Sequence, residues 1–261
     1  MFGLQRDDKW IRRDRRGADE EALLKKTREK AIELAALGLS YSKVGSLFGF
    51  AKSTLCKWLK QEELSKESMT GRVAELDGLW TRTSKGQTEL KVIRDNEGNV
   101  LVSFDDWEKA ISGLYEQGLE SADHLVSDGD RAIEGAIELV YGSKAPHQLC
   151  QFHLLREYRR NIGSLGFKQA KDLLEAQSKG EAYKLASVLN RVTGGKAAYW
   201  SDKVLRKGLT FLETGHERFK TTSRLERFQR ELRRRESMGT WWTPYNLIVL
   251  LQHAGLVNST T

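Results

Sequence analysis

At Arg72 the repeat of apolar residues changes from helical to near-alternating. RVAELDGLW reads as a strand, and TELKVIRDNEGNVLVS continues it as a hairpin with an acidic turn around Asn96 to Gly98. DDWEKAISGLYEQG follows as an amphipathic helix, capped by Asp105 or Asp106 and stopped at Gly118. HLVSDGD is a short strand of the buried type that ends in carboxylates, and RAIEGAIELVYG is a second helix. APHQLCQF gives another strand and HLLREYRRN begins another helix. Strand, hairpin, helix, strand, helix, strand, helix is the order of an α/β domain.

On either side of this segment the text is helical. Residues 154–220 show no strand pattern, and breaks at Gly163, Gly180 and Gly194–Gly195 divide an all-helical block long enough to be an insertion. Beyond it lie TTSRLERFQRELRRRE, the stretch Met238 to Thr243, and an apolar helix from Tyr245 toward Leu256. Upstream, residues 1–26 are charge-rich, expected as a mobile arm or a loosely packed helix. REKAIELAALG then carries a helical stripe of Ala31, Ile32, Leu34, Ala35 and Leu37, closed by Gly38. LSYSKVGSLFGFAKSTLCKWLKQ reads as two short helices around Gly49, a helix-turn-helix pattern in which Gly45 permits close approach. Val44, Leu47, Phe50, Leu55 and Leu59 fall where a three-helix core requires apolar groups. In such a motif the second helix enters the major groove. Its leading residues Lys52, Ser53, Thr54 and Lys57 are then donors to bases or phosphates, although Ala51 stands where a capping serine is expected. The plainer alternative is a helical hairpin with lysines on its wet face.

Charge follows the same divisions. Residues 1–70 hold 15 basic and 11 acidic groups, residues 71–153 hold 8 and 15, and residues 154–261 hold 20 and 10, within a net +7. An acidic middle between basic flanks suggests a polyanion held at the ends and cations, metals among them, in the centre. With 39% hydrophobic residues and seven tryptophans the chain can bury a core. The apolar run at Leu247 to Leu251 is too short to span a bilayer, and no signal-like stretch precedes the charges that start at Arg6. Cys56 and Cys150 are its two cysteines, which excludes a disulfide framework and fits a reducing, cytoplasmic setting.

Two aspartates occupy informative places. Asp77 lies within the first strand of the α/β unit, and Asp128 ends a later one. Adjacent strands run about 4.8 Å apart, so if these two are neighbours both carboxylates reach one divalent ion. A third carboxylate from a helix crossing the sheet would complete a site for two ions about 3.5–4 Å apart, and magnesium suits such oxygen ligands. Composition alone allows Glu75 in place of Asp77, and Asp130 in place of Asp128. In TTSRLERFQRELRRRE three glutamates stand among six arginines. Glu226–Arg230 and Glu231–Arg235 are favourable i,i+4 pairs on a solvated helix. A wheel at about 100° per residue puts Leu225, Phe228 and Leu232 on the core stripe with Glu226 and Glu231 on its flanks, and does not choose between the two glutamates.

ELDGLW, then LVSDGDRAIEGAIELVYGSKAPHQLCQFHLLRE, then TTSRLERFQRELRRRE, in that order, resemble the Mutator-like group of DDE transposases, which includes prokaryotic insertion-sequence enzymes. The resemblance covers roughly residues 71–153 and 215–250. It implies a ribonuclease H-like catalytic domain over 71–153 and 215–261, interrupted by a helical insertion at 154–214 and preceded by the helix-turn-helix region of 1–70. It implies Asp77, Asp128 and Glu226 as a catalytic triad holding two Mg²⁺ ions, with Mn²⁺ able to substitute. The implied activity is binding of element ends, strand cleavage and strand transfer. Its partners would be double-stranded DNA, as terminal inverted repeats and target, and further copies of the chain in a dimer or larger synaptic complex. Arg224, Arg227, Arg230 and Arg233 to Arg235, Arg234 among them, are then backbone contacts. Cys150 and His153 form a C-x-x-H pair; a closed zinc site needs four ligands, and the other cysteine is remote, so a satisfied pair at a strand-to-helix junction is expected. The third strand is shorter than is usual among such relatives, which motivates the alternative of a transposase-derived DNA-binding protein that no longer cuts.

Overall fold

A computed structural model describes residues 7–64, 68–84, 86–236, 243–257 and 259–260. Residues 238–242 and the Arg235 side chain lie outside the described residues. The charge-rich beginning is helical from its first described residue, running without a break into the predicted stripe as α1 (Asp7–Ala36). Two short helices follow, α2 (Tyr41–Phe48) and α3 (Lys52–Leu59). Ser40 caps α2 through Lys43 N, and Gly49 takes the left-handed conformation at φ 75° that ends it. Gly45 carries the close approach: a Cβ there would lie 2.4 Å from the Phe50 carbonyl oxygen. Val44, Leu55 and Leu59 are fully buried as expected, whereas Leu47 is 66% exposed. The wheel gives the reason, because Leu47 lies roughly 90° round from the stripe of Tyr41, Val44 and Phe48 that meets the core.

The sheet is mixed, in the order β5-β4-β1-β2-β3-β6. Its strands are β1 (Val73–Thr83), β2 (Gly86–Asp95), β3 (Val100–Ser103), β4 (His124–Ser127), β5 (His147–Leu149) and β6 (Ser259–Thr260). β1, β2 and β3 form an antiparallel meander, and β4 and β5 join β1's other side in parallel. Asp95, almost wholly buried, fixes the second hairpin turn by accepting from Gly98 N and Asn99 N at 2.8 Å and from Gly71 N at 2.9 Å.

Strand parity divides the faces. Ala74 and Leu76 of β1, with Ile93, Leu101 and Leu125, pack on α4 (Trp107–Glu116) and α5 (Arg131–Tyr141). Asp106 caps α4 by accepting from Lys109 N at 2.9 Å. Glu75, Asp77 and Leu79 alternate with these residues and point to the other face, where Leu79, Leu90, Val92 and Val102 form a second core. That core is closed by Leu225, Phe228 and Leu232 of α11 (Ser223–Glu236), by α12 (Pro244–His253), and by the N-terminal helices through Ala31, Ile32, Val44, Leu55 and Leu59. The first helices and the sheet therefore share one hydrophobic cluster. Between β5 and α11 the described chain is helical: α6 (Gln151–Asn161), α7 (Phe167–Leu174), α8 (Lys179–Val192), α9 (Ala198–Lys203), a π turn at Val204–Gly208, α10 (Phe211–Thr214), and a 3₁₀ turn at Glu217–Phe219. These helices enclose their own core around Tyr158, Leu189, Trp200 and Phe211.

Candidate active site

β1 and β4 are hydrogen-bonded neighbours with Leu76 opposite Ser127, so the next residues along, Asp77 and Asp128, stand side by side. Asp77 is 6% exposed. Burial, and then the charge of Asp128, push its carboxyl up to about 6, against the opposing pull of His153 and Gln229. Burial likewise raises Asp128, with hydrogen bonding from Asp130 N and the neighbouring His153 opposing it. Two desolvated carboxylates with raised affinity for a positive charge are the arrangement a cation relieves.

α11 brings the third acid. Leu225 and Leu232 are fully buried and Phe228 nearly so, which fixes the helix's rotation. Glu226 then turns into a cleft of about 260 Å³ that it lines together with Asp77, His153, Gln229 and Arg230. Glu231 turns elsewhere and is held by Arg234, Nη2 to Oε1 at 2.9 Å and Nε to Oε2 at 3.0 Å. Glu231 has an i,i+3 partner in Arg234, its expected partner Arg235 lying outside the described side chains, and Glu226 faces the cleft. Asp77 and Glu226 come together, with Asp128 beside Asp77.

The two alternative acids have other work. The Glu75 carboxylate reaches across to the start of α11 and accepts from Leu225 N at 3.3 Å, with the Arg224 guanidinium 4.0 Å away. Burial nevertheless raises it to about 7. Asp130 caps α5 by accepting from Ala132 N at 2.7 Å, while its own N–H donates to Asp128 at 2.9 Å. A residue the sequence reading did not consider, Glu89, adds its charge to the surroundings of Asp128; it is ion-paired with Lys91 at 3.0 Å.

Cys150 ties two helices together. It is the cap residue of α6, and its sulfur accepts from Thr222 N at 3.4 Å and Thr222 Oγ1 at 3.5 Å, immediately before α11. Burial pushes the thiol up, and its neighbours His153 and Thr222 outweigh this and hold it below its ordinary value. His153, one turn along α6, is raised by Cys150 first, against its burial, and further by Asp77 and Asp128. The junction is thus a satisfied one for the cysteine, with the histidine at the edge of the acid cleft.

The arginines separate by contact. Arg224 lies over the Phe219 ring at 4.6 Å and beside Glu75, so it anchors α11 from within. Arg230 lines the cleft. Arg227 is exposed and, with Arg234, lies roughly 100° round the helix from the cleft stripe. On α3, Lys52, Ser53 and Lys57 are exposed and Thr54 half-buried, far along the chain from the acids. Phe152 and Arg156 also line the cleft; the wheel of α6, on which positions 152, 153 and 156 share a face, carries that signal.

Among the described residues no three His, Cys, Asp or Glu side chains converge closely enough to enclose an ion as they stand. The donor set still fits magnesium: all oxygen, Asp77 buried with Asp128 and Glu226 half-buried, and none of the three ion-paired to a lysine or arginine among the described residues. No helix among them is long and apolar enough to cross a membrane.

The sequence profile of the Transposase, Mutator family matches residues 92–244, and the chain belongs to that family. Over 145 residues it is 30% identical to the transposase for insertion sequence element IS406 of Burkholderia multivorans (strain ATCC 17616 / 249), a match covering 50% of this chain. The match spans 36% of that relative's length. A cryo-EM structure of the simian T-cell lymphotropic virus intasome in complex with PP2A regulatory subunit B56 gamma aligns with 54% of this chain and 62% of that chain. Its identity is 13% and its TM-score 0.24, too low to establish a common fold.

Proposed function

We propose that the chain is a DDE-type DNA transposase in which Asp77, Asp128 and Glu226 form the catalytic centre. The observation that carries this reading is the shared cleft: an acid from β1 and an acid from α11, distant in sequence, face one space, with Asp128 adjoining. The strand order, an antiparallel meander extended by two parallel strands, supports the ribonuclease H-like reading. The three carboxylates would hold magnesium or manganese, which when bound supplies Lewis-acid activation and neutralises charge on nonbridging phosphate oxygens. The chain's own part is positional. The sheet fixes the two aspartates, Cys150 and Glu75 fix the start of α11, and that helix presents Glu226 and Arg230 from the opposite side. Preorganised charge of this kind is the contribution phosphoryl transfer most needs from a protein.

The exposed start of α3, with Lys52, Ser53, Thr54 and Lys57, would read the element's inverted repeats as the second helix of a helix-turn-helix. Arg227 and Arg234 would meet duplex backbone outside the cleft. Because an element has two ends, two or more copies would act together on end and target DNA.

The test is nicking of a duplex carrying the element's end in Mg²⁺ or Mn²⁺. The wild type should nick it, and Asp77→Ala should lose at least a hundredfold in rate while binding the duplex as before. Binding by the wild type with no metal-dependent cut in either ion would instead favour a repurposed DNA-binding protein, the reading to which the four-residue β3 lends support.

A further inference from the structure

The cleft has a second wall that the three acids leave unexplained. α6 contributes Phe152 and Arg156, one turn apart, and α11 contributes Arg230 and Arg233, with Asp77 and Glu226 lining the same space. Arg28, Arg72 and Arg234 hold carboxylates at 2.6, 2.8 and 2.9 Å. Among the described residues none of Arg156, Arg230 and Arg233 forms such a pair, so three guanidiniums share the space with the acids without being held by them. His153 and Gln229 complete the lining beside Asp77. Phe152 is 50% exposed, an aromatic ring open to the cleft and set edge-to-face on His153, with centroids 5.6 Å apart and planes at 85°. The cleft these residues line measures about 260 Å³.

Unpaired arginines tracking a backbone beside an aromatic face is the chemistry of single-strand binding. We infer that the cleft takes a locally unpaired DNA strand: Arg156, Arg230 and Arg233 hold its phosphates, and Phe152 stacks on a base displaced from the duplex next to the phosphate to be cut. This rests on the catalytic reading above and specifies the state of its substrate. Phe152 is on this account a positioning residue, acting on the base and not on the reacting atoms.

Two measurements on the full chain test it. The first is anisotropy of a short labelled oligothymidylate in EDTA. Phe152→Ala should weaken binding about tenfold with an unchanged salt slope, Phe152→Trp should bind as the wild type, and Arg156→Ala or Arg233→Ala should each lower the slope by about 0.7. The second compares nicking of a fully paired element-end duplex with one mismatched at the cut. Phe152→Ala should lose about tenfold on the paired substrate and recover on the pre-opened one. A merely structural role would give equal losses on both, and equal losses, or wild-type oligothymidylate affinity in Phe152→Ala, overturn the proposal. A wild type that nicks neither duplex removes the catalytic reading, and the oligothymidylate arm then still decides whether the cleft holds a single strand.

Discussion

Glu75 and Asp77 share one face of β1 two residues apart, and their surroundings give them different tasks. Glu75 receives a backbone N–H from α11 and the nearby Arg224, so it serves the helix start; Asp77 faces the cleft, with Asp128, His153 and Gln229 as its nearest polar neighbours. Glu75 is raised from 4.5 to about 7 because burial disfavours its charge. The folded state therefore binds that proton more tightly than the unfolded chain, and the contribution to stability is lost as pH rises from 4.5 through about 7. A shift of that size corresponds to about 3 kcal/mol. Glu75→Gln keeps an acceptor for Leu225 N and has no charge to bury, so denaturant titrations should show its stability exceeding the wild type's at pH 8 and the wild type's slope across that window flattened. His124 gives the opposite sign. Buried between Thr214 and the Phe219 carbonyl, it is lowered from 6.5 to about 4, and its contribution is lost as pH falls through that interval. His124→Gln should flatten the acid limb alone.

At the scale of elements, α11 decides whether the acids meet. Its rotation is set by three apolar side chains, so removing one should disturb function through geometry. Phe228→Ala should cost about 3–5 kcal/mol in urea unfolding and reduce nicking by more than it reduces duplex binding, since Phe228 sits on the helix that carries Glu226. The apolar spacing of 225, 228 and 232 made this helix face readable from sequence, and the strands that carry Asp77 and Asp128 were readable from alternation and turn residues, while their adjacency was only a condition that the structure supplies. The choice of Glu226 over Glu231 was not, because both flank the stripe; it depends on where β1 runs beneath the helix, a tertiary fact. Leu47 failed for a local reason, since an apolar residue off the stripe looks the same in sequence as one on it. Phe152 and Arg156 escaped notice because α6 was read for its C-x-x-H pair, and the wall it forms exists only once α11 stands opposite.

Across the whole molecule, the N-terminal helices, α11, α12 and one sheet face close a single apolar cluster, while the helices between β5 and α11 enclose another. A module tethered by a free linker would unfold by itself. Here Val44, Leu55 and Leu59 leave the same core as Leu79 and Val92, so native-state hydrogen exchange should show α3 and β1 amides losing protection at the same denaturant concentration. Protection lost in α3 well before β1 would show that the shared cluster is weak and that the N-terminal helices move as an independent unit. On the proposed reading the coupling would bear on function, because it fixes the exposed start of α3 relative to the cleft.

The most direct test of the three-acid centre is anomalous diffraction from crystals of the full chain soaked in Mn²⁺. The account predicts manganese density bonded at about 2.0–2.2 Å to carboxylate oxygens of Asp77, Asp128 and Glu226 together. Manganese bound by the two aspartates with the Glu226 side chain directed out of the cleft, or bound only at other sites, would contradict it.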